Sequence, residues 1–417
     1  MLDSDTLSPS VRVGRTALQA ALGVAPEDAL THVLETHGSA CDIDRWTAWC
    51  QYHNVIPSVH RVLKTHPHPA SNSLQQALAP QAQTIAAAGL LQAQALHEIL
   101  EAFATHGIPV IPVKGIHLDV RAYGGPGQRK DGDHDLLVRP DQLSDAVAVL
   151  HELGYQYTDP SLPVEAWHSV PIHHGPPLIK HAGPMPSWVE LHWDVLPDTE
   201  GLHWHDPEHL TADFWARSVS TTLMGTPIRE LASEDDVLHL MLHAIRHLAQ
   251  HTRGLTARLS MVEDLARRVQ SLPELPWTTV AARAEALGRT SVLGPIKYLW
   301  THVLGAEANS LFPDAFSVDT WPKRGWERRL LPTRHLLADP PPKSNERRAF
   351  HHEKGRCTLV HLLLLKEPRD RWQLLREDVV RPLCTVNDKD REVAPALPDA
   401  ALLPVRWMRL GWRAVRG

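Results

Sequence analysis

Apolar positions return at helical spacing through most of the first hundred residues. Over about 12–22, 26–36, 44–63 and 74–106 they recur every three or four positions among Ala, Gln and Leu, which predicts an N-terminal helical layer. The period then changes. Ile108-Pro109-Val110-Ile111-Pro112-Val113 is a compact β-branched run that ends in Lys114-Gly115, predicting a buried strand, a tight turn and a helix over 116–123. A Gly-rich stretch, Gly124-Gly125-Pro126-Gly127, leads into a second short strand around Leu136-Leu137-Val138. Leu143, Val147 and Leu150 mark a helix over 141–153, closed by Gly154. Trp188-Val189-Glu190-Leu191-His192-Trp193 alternates as a half-buried strand, with Glu190 and His192 on one face. Residues 158–186, rich in Pro, Gly and His, read as a loop or irregular hairpin, and a further irregular run follows Glu190. Helical spacing resumes at 234–250, 255–270, 277–287 and 289–303. Beyond 304 the pattern fades into an exposed turn or linker at 336–345 and a short apolar helix at 358–366, with no fixed-period repeat.

The chemistry concentrates where the two strands begin and end. In Asp133-His134-Asp135 the two carboxylates project from one face of a strand, their Cα atoms roughly 6.5–7 Å apart. Carboxylates so placed repel unless a cation lies between them, and hard divalent ions such as Mg2+ take such oxygens while keeping positions for water and phosphate. A solvated acidic turn is the plain alternative. Glu190 is the natural third carboxylate, and Lys114, Gly115 and Arg129 supply a turn and positive charge suited to phosphate oxygens. Asp131 shares parity with Asp133 and reads as an auxiliary ligand or a turn residue. His134 faces the opposite side of the strand, toward the core.

A second pattern competes. His239, His243, His247 and His251 recur at every fourth position, a column of imidazoles along one side of a helix. Such a column suits Zn2+ or a similar ion, pocket lining or core hydrogen bonding, and without an added carboxylate or thiol ligand its spacing alone specifies no metal cage. His168, His173, His174 and His181 lie in the Pro/Gly-rich loop, where solvated or substrate-facing roles are expected.

Composition narrows the classes. A net charge of −6, 43% hydrophobic and 22% charged residues describe an ordinary globular chain long enough for two or three packed units. No Lys/Arg run with interleaved aromatics accompanies the acidic strand, so no nucleic-acid partner is expected. Cys41, Cys50, Cys357 and Cys384 follow neither metal-ligand nor disulfide spacing, and the start of the chain has no basic and apolar leader. With no apolar run of about 18 residues, a cytoplasmic protein without a transmembrane segment is expected. The C-terminal tail, around Trp407, Trp412 and four arginines, suits packing or docking on a partner.

Taken in order, Val113-Lys114-Gly115, Arg129, Gly132-Asp133-His134-Asp135-Leu136-Leu137-Val138, Gly154-Tyr155 and Val189-Glu190-Leu191-His192-Trp193 resemble the bacterial family described as uncharacterised nucleotidyltransferases, of the polymerase-beta-like superfamily. Trp46, His53-Asn54-Val55-Ile56-Pro57, His243-Ala244-Ile245-Arg246-His247, Arg258-Leu259 and Asp264 extend the resemblance over about 45–300. The superfamily's usual Gly-Ser is replaced here by Lys114-Gly115, and His134 stands where an aliphatic residue is expected.

The resemblance implies an α+β fold: a polymerase-beta-like core, a small mixed sheet with flanking helices, set between N- and C-terminal helical regions. Expected boundaries are 1–106 for the N-terminal helices, 107–230 for the core, 231–335 for a helical region packed on it, and 336–417 for a linker and helical tail. It implies an Mg2+-dependent enzyme that moves a nucleoside monophosphate from an NTP to a small-molecule or protein/peptide acceptor, releasing pyrophosphate. Asp133, Asp135 and Glu190 would be catalytic and hold two Mg2+ ions, while Lys114, Gly115, Arg129, His243 and His247 would bind the nucleotide and its phosphates. The alternatives are a catalytically weak nucleotide-sensing or partner-binding protein that keeps the fold, and a histidine-metal protein using the helical column.

Overall fold

The computed structural model describes residues 7–305, except 27, 159–163, 165–166, 168–173, 182–184, 196–206 and 250–257. The expected linker and helical tail over 336–417, Cys357, Cys384, His168, His173 and His251 lie outside the described residues.

Five helices come first: α1 (Pro9–Ala21), α2 (Ala29–His37), α3 (Ile43–Tyr52), α4 (Ile56–Thr65) and the long α5 (Pro69–Thr105). Local chemistry starts them, since Ser8 and Asp42 cap the first amides of α1 and α3 and prolines stand at the starts of α1, α4 and α5. The single helix expected over 44–63 is two. Asn54 takes a left-handed conformation, φ 58°, and Pro57 opens the next helix, so the axis turns between them.

The α+β expectation holds. A five-stranded mixed sheet runs β1 (Ile111–Val113), β2 (His134–Leu137), β5 (Ser187–His192), β4 (Leu178–Lys180) and β3 (Gln156–Tyr157) in spatial order, parallel only between β2 and β5. Between β1 and β2 lie a short α6 (Gly115–Leu118) and a π-turn (Asp119–Tyr123); between β2 and β3 lies α7 (Leu143–Glu152). The run after Glu190, expected to be irregular, contains α8 (Pro207–Arg217) and a hairpin of β6 (Val219–Leu223) and β7 (Thr226–Glu230). Met224 and Gly225, both at positive φ, make its two-residue turn. The helices α9 (Ser233–Ala249), α10 (Leu259–Gln270), α11 (Trp277–Ala286) and α12 (Leu293–Leu304) complete the described chain. No helix among the described residues is long and apolar enough to cross a membrane.

Side-chain alternation gives the sheet two unlike faces. Leu136, Val138, Val189 and Leu191 pack with Leu96, Ile99, Leu100 and Phe103 of α5 and with α7 in one apolar cluster. Ile111, Val113 and Leu137 turn the other way and join a second cluster built from α1–α4 and α9–α12. The acidic residues of β2 and β5 share that second face, between the sheet and the helical layer.

Candidate functional site

The parallel β2–β5 pairing sets Asp135 opposite Glu190 and Leu137 opposite His192. Chain segments more than fifty residues apart thus deliver a carboxylate, a second carboxylate and an imidazole to one patch. Donor atoms of Asp135, Glu190 and His192 all lie within 4.8 Å of one another, the one group of three potential metal ligands found among the described residues. His192 Nε2 is 2.8 Å from Asp135 Oδ1 and 3.7 Å from Glu190 Oε2. His174, bridged to His192 through the backbone, brings its Nδ1 to 3.9 Å from Glu190 Oε2.

Lys114 enters from the end of β1, where Val113 pairs with Asp135. Its Nζ sits 2.8 Å from Asp135 Oδ2. The backbone there is unusual: Lys114 has φ 55° and Gly115 φ 46°, a left-handed pair that holds the ammonium over the carboxylates. A Cβ on Gly115 would come within 3.2 Å of the Asp133 carbonyl, so the glycine also lets the two loops approach closely.

The electrostatics divide the two aspartates. Burial alone would raise the Asp135 carboxyl, but the Lys114 ammonium and the hydrogen bond from His192 hold it well below the usual carboxylate range. Asp133, at the mouth of the site, is pushed up to about 7 by the surrounding protein and by Asp135 beside it, against the pull of Lys114. Negative charge is therefore in excess. Asp135 and Glu190 meet where one ammonium makes direct contact, with Asp133 near enough to repel both, and oxygen-rich donors of this kind fit a divalent cation.

Arg129, expected to bind phosphate, is engaged by carboxylates of the protein itself. It is half-buried and forms a two-pronged pair with Asp264 of α10, Nε to Oδ1 and Nη2 to Oδ2 both at 3.0 Å, and its third nitrogen reaches Asp131 and the Gly115 carbonyl. The Tyr123 hydroxyl donates to the same Asp264. Asp131 is thus an ion-pair partner of Arg129, and burial raises its carboxyl to about 6. Asp119 accepts from the amides of Gly127 and Gln128 and ties down the Gly-rich loop that precedes Arg129.

His134 faces the α5 side, fully buried, and neither ring nitrogen has a hydrogen-bond partner among the described residues. The strand around it keeps regular pairing on both sides, and burial lowers the imidazole to about 4, so it is a neutral core residue. His239, His243 and His247 do form a column on α9, their ring centroids 6.4 and 4.3 Å apart. His239 Nδ1 is 2.7 Å from the Val195 carbonyl. Burial depresses both His239, to about 4, and His243, and the Lys114 ammonium adds to each, which puts this side of α9 toward the acidic patch.

Two residues carry no assigned role in the sequence: His192 is legible there by its parity with Glu190, whereas Asp264 is brought in by tertiary pairing alone. His174, expected to be solvated or substrate-facing, stands beside Glu190. The family described as uncharacterised nucleotidyltransferase matches residues 39–305 of the chain. No curated protein and no solved structure matches it.

Proposed function

The chain belongs to the uncharacterised nucleotidyltransferase family, and on that premise we propose that it transfers a nucleoside monophosphate from an NTP to a small-molecule or protein/peptide acceptor with the aid of Mg2+. The observation that carries this reading is the meeting of Asp135 and Glu190 on one sheet face beside Lys114, with Asp133, exposed just before β2, near enough to feel both carboxylates. Asp133, Asp135 and Glu190 would hold the cations, two in number. Bound there, such ions neutralise phosphate charge and stabilise the attacking and leaving oxygens.

Transfer begins as the acceptor oxygen attacks the α-phosphorus. The bond from that phosphorus to the oxygen bridging the β-phosphate breaks, and pyrophosphate leaves with the electron pair. Glu190, at the edge of the cluster, takes the acceptor's proton. Lys114, on a flexible stem next to Asp135, offsets the charge that gathers on the departing phosphates. His243 and His247, on the side of α9 turned to this face, line the nucleotide pocket. Arg129 acts through others: its pairs with Asp264 and Asp131 and its contact with Gly115 hold the loops that carry Asp133 and Lys114.

A nucleotide-sensing protein that keeps the fold is the second reading. The observation on its side is that both Asp135 oxygens already have cationic or N–H partners, Lys114 and His192. Calorimetric titration of each of the four NTPs, with and without Mg2+, into wild type and the Asp133→Ala/Asp135→Ala variant separates the two. Mg2+-dependent binding lost in the variant, with pyrophosphate released by wild type when acceptors are supplied, supports transfer. Binding indifferent to Mg2+ and to the variant supports sensing, and no binding of any NTP removes both.

A further inference from the structure

The acidic face contains a donor that purely magnesium-dependent chemistry does not call for. We propose that Asp135, Glu190 and His192 form a mixed oxygen–nitrogen centre that takes a first-row transition cation, Mn2+ or Co2+ among them, in preference to Mg2+, with His192 Nε2 as the ligand that sets the preference. The inference rests on the reading that this face holds a divalent cation, and it deepens that reading by assigning the ion's class.

Geometry comes first. Donors on a common ion at about 2.0–2.2 Å lie about 3–4.4 Å from each other, depending on the angle between them. His192 Nε2 lies 3.7 Å from Glu190, inside that range, and 2.8 Å from Asp135, just under it, and the three donors all fall within 4.8 Å of one another. The nitrogen is therefore within a small side-chain adjustment of a third ligand's place. It arrives there by construction, because His192 follows Glu190 by two positions on β5 and so shares its face. The backbone bridge between His174 and His192 sets a second imidazole 5.2 Å from the His192 ring, its Nδ1 3.9 Å from Glu190 and hydrogen-bonded to the Gly175 carbonyl, which leaves His192 Nε2 as the nitrogen ligand.

Ligand chemistry then chooses the ion. Mg2+ is a hard cation that takes oxygens, demands regular octahedral geometry and dehydrates reluctantly. Imidazole nitrogen gives it little, whereas affinity for such nitrogen rises along the first-row series from Mn2+ to Cu2+. A site meant for Mg2+ alone gains nothing from an imidazole between its carboxylates. The competing role for His192 is to orient Asp135 through a hydrogen bond and touch no ion.

The test uses the metal-stripped full chain and the metals alone, without nucleotide. Co2+ is titrated with its visible absorption followed, Mn2+ by loss of the free-ion paramagnetic signal, and Mg2+ by competition against Mn2+. The expected result is one Co2+ band that saturates, Mn2+ binding at least tenfold tighter than Mg2+, and a ten- to hundredfold loss of Co2+ and Mn2+ affinity in His192→Gln with Mg2+ affinity within twofold of wild type. His192→Cys supplies a positive readout that an orienting role cannot give: a new thiolate-to-cobalt charge-transfer band, absent from wild type. Mg2+ binding as tight as Mn2+ in wild type, or no new band in a folded His192→Cys, overturns the proposal. Loss of NTP binding in wild type beside an intact Co2+ signature would sink nucleotidyl transfer and leave this centre standing.

Discussion

Asp135 gives one oxygen to His192 and the other to Lys114, while Asp133 stands at the mouth of the site against a like charge. The two substitutions should therefore differ in stability although both end Mg2+-dependent turnover on the proposed reading. Asp135→Ala strands an ammonium and an imidazole and is expected to cost roughly 1–3 kcal/mol; Asp133→Ala relieves repulsion and should be neutral or slightly stabilising. Urea unfolding beside a pyrophosphate-release assay checks both, and equal stability losses would contradict the geometry. A second residue predicts a pH dependence. His53 is buried beside Trp49 and held down to about 3 by burial and by Arg258. The unfolded chain takes up this proton first, so the contribution is complete above pH 6.5 and drains away as pH falls toward about 3, at up to about 1.4 kcal/mol per unit. Unfolding free energies of wild type and His53→Gln measured at pH 7 and 5 should converge at the lower value. At this scale period-2 alternation makes the shared face of Glu190 and His192 legible in the sequence, whereas Asp133, expected beside Asp135 on the strand, lies just before β2 and outside the Asp135–Glu190–His192 group. The partner of Arg129 was not legible: Asp264 lies 135 positions away, and nothing local to either residue specifies the pair.

Among elements, α5 and the Gly-rich loop meet backbone against backbone. A Cβ on Gly89 would lie 2.4 Å from the Gly127 Cα, and one on Gly127, at φ 80°, would meet the Ala86 carbonyl oxygen at 2.6 Å. Both atoms met are backbone, so neither can step aside cheaply. Gly127→Ala combines overpacking with an unfavourable left-handed residue and should cost about 2–4 kcal/mol. Because Asp119 holds the same loop through the Gly127 and Gln128 amides, the strain should also reach Arg129 and the turn before Asp133. Urea unfolding measures the first effect, and NTP titration into the folded variant measures the second; a variant as stable as wild type would show that the loop can move off α5. Elements were legible where local signals suffice. Met224-Gly225 between two alternating runs marks a hairpin that was passed over as irregular, while the break at Asn54 was hidden by continuous helical spacing on both sides. The parallel β2–β5 pairing could not be read locally at all, since crossover partners are chosen by the whole sheet.

Over the whole molecule, the family match begins at residue 39, yet α1 and α2 are built into the larger apolar cluster. Val11, Val13, Ala17 and Leu18 of α1 are fully buried, and Gly14 lies so close to Trp49 of α3 that a Cβ would meet the ring at 2.5 Å. The first helix also closes α12. Arg15 donates to the carbonyls of Val303 and His302, and Gln19 to that of Leu304, satisfying carbonyls at its C-terminal end. Gln270 of α10 donates in return to the Leu22 carbonyl. A chain starting at residue 39 loses these caps and the four buried apolar side chains, each worth about 1–3 kcal/mol, and bares the Trp49 ring that α1 covers. That sum is comparable to the whole stability of a typical domain. The shortened chain is therefore expected to aggregate or to melt far below the full chain, although it keeps every residue of the acidic face. Thermal unfolding of the two chains, followed by circular dichroism with and without an NTP and Mg2+, tests this. Equal melting temperatures would make α1 and α2 an accessory layer. A large drop that nucleotide partly restores would show that the sheet face still forms and that the first two helices act on stability rather than on the site, since a ligand that binds only the folded state stabilises it by mass action.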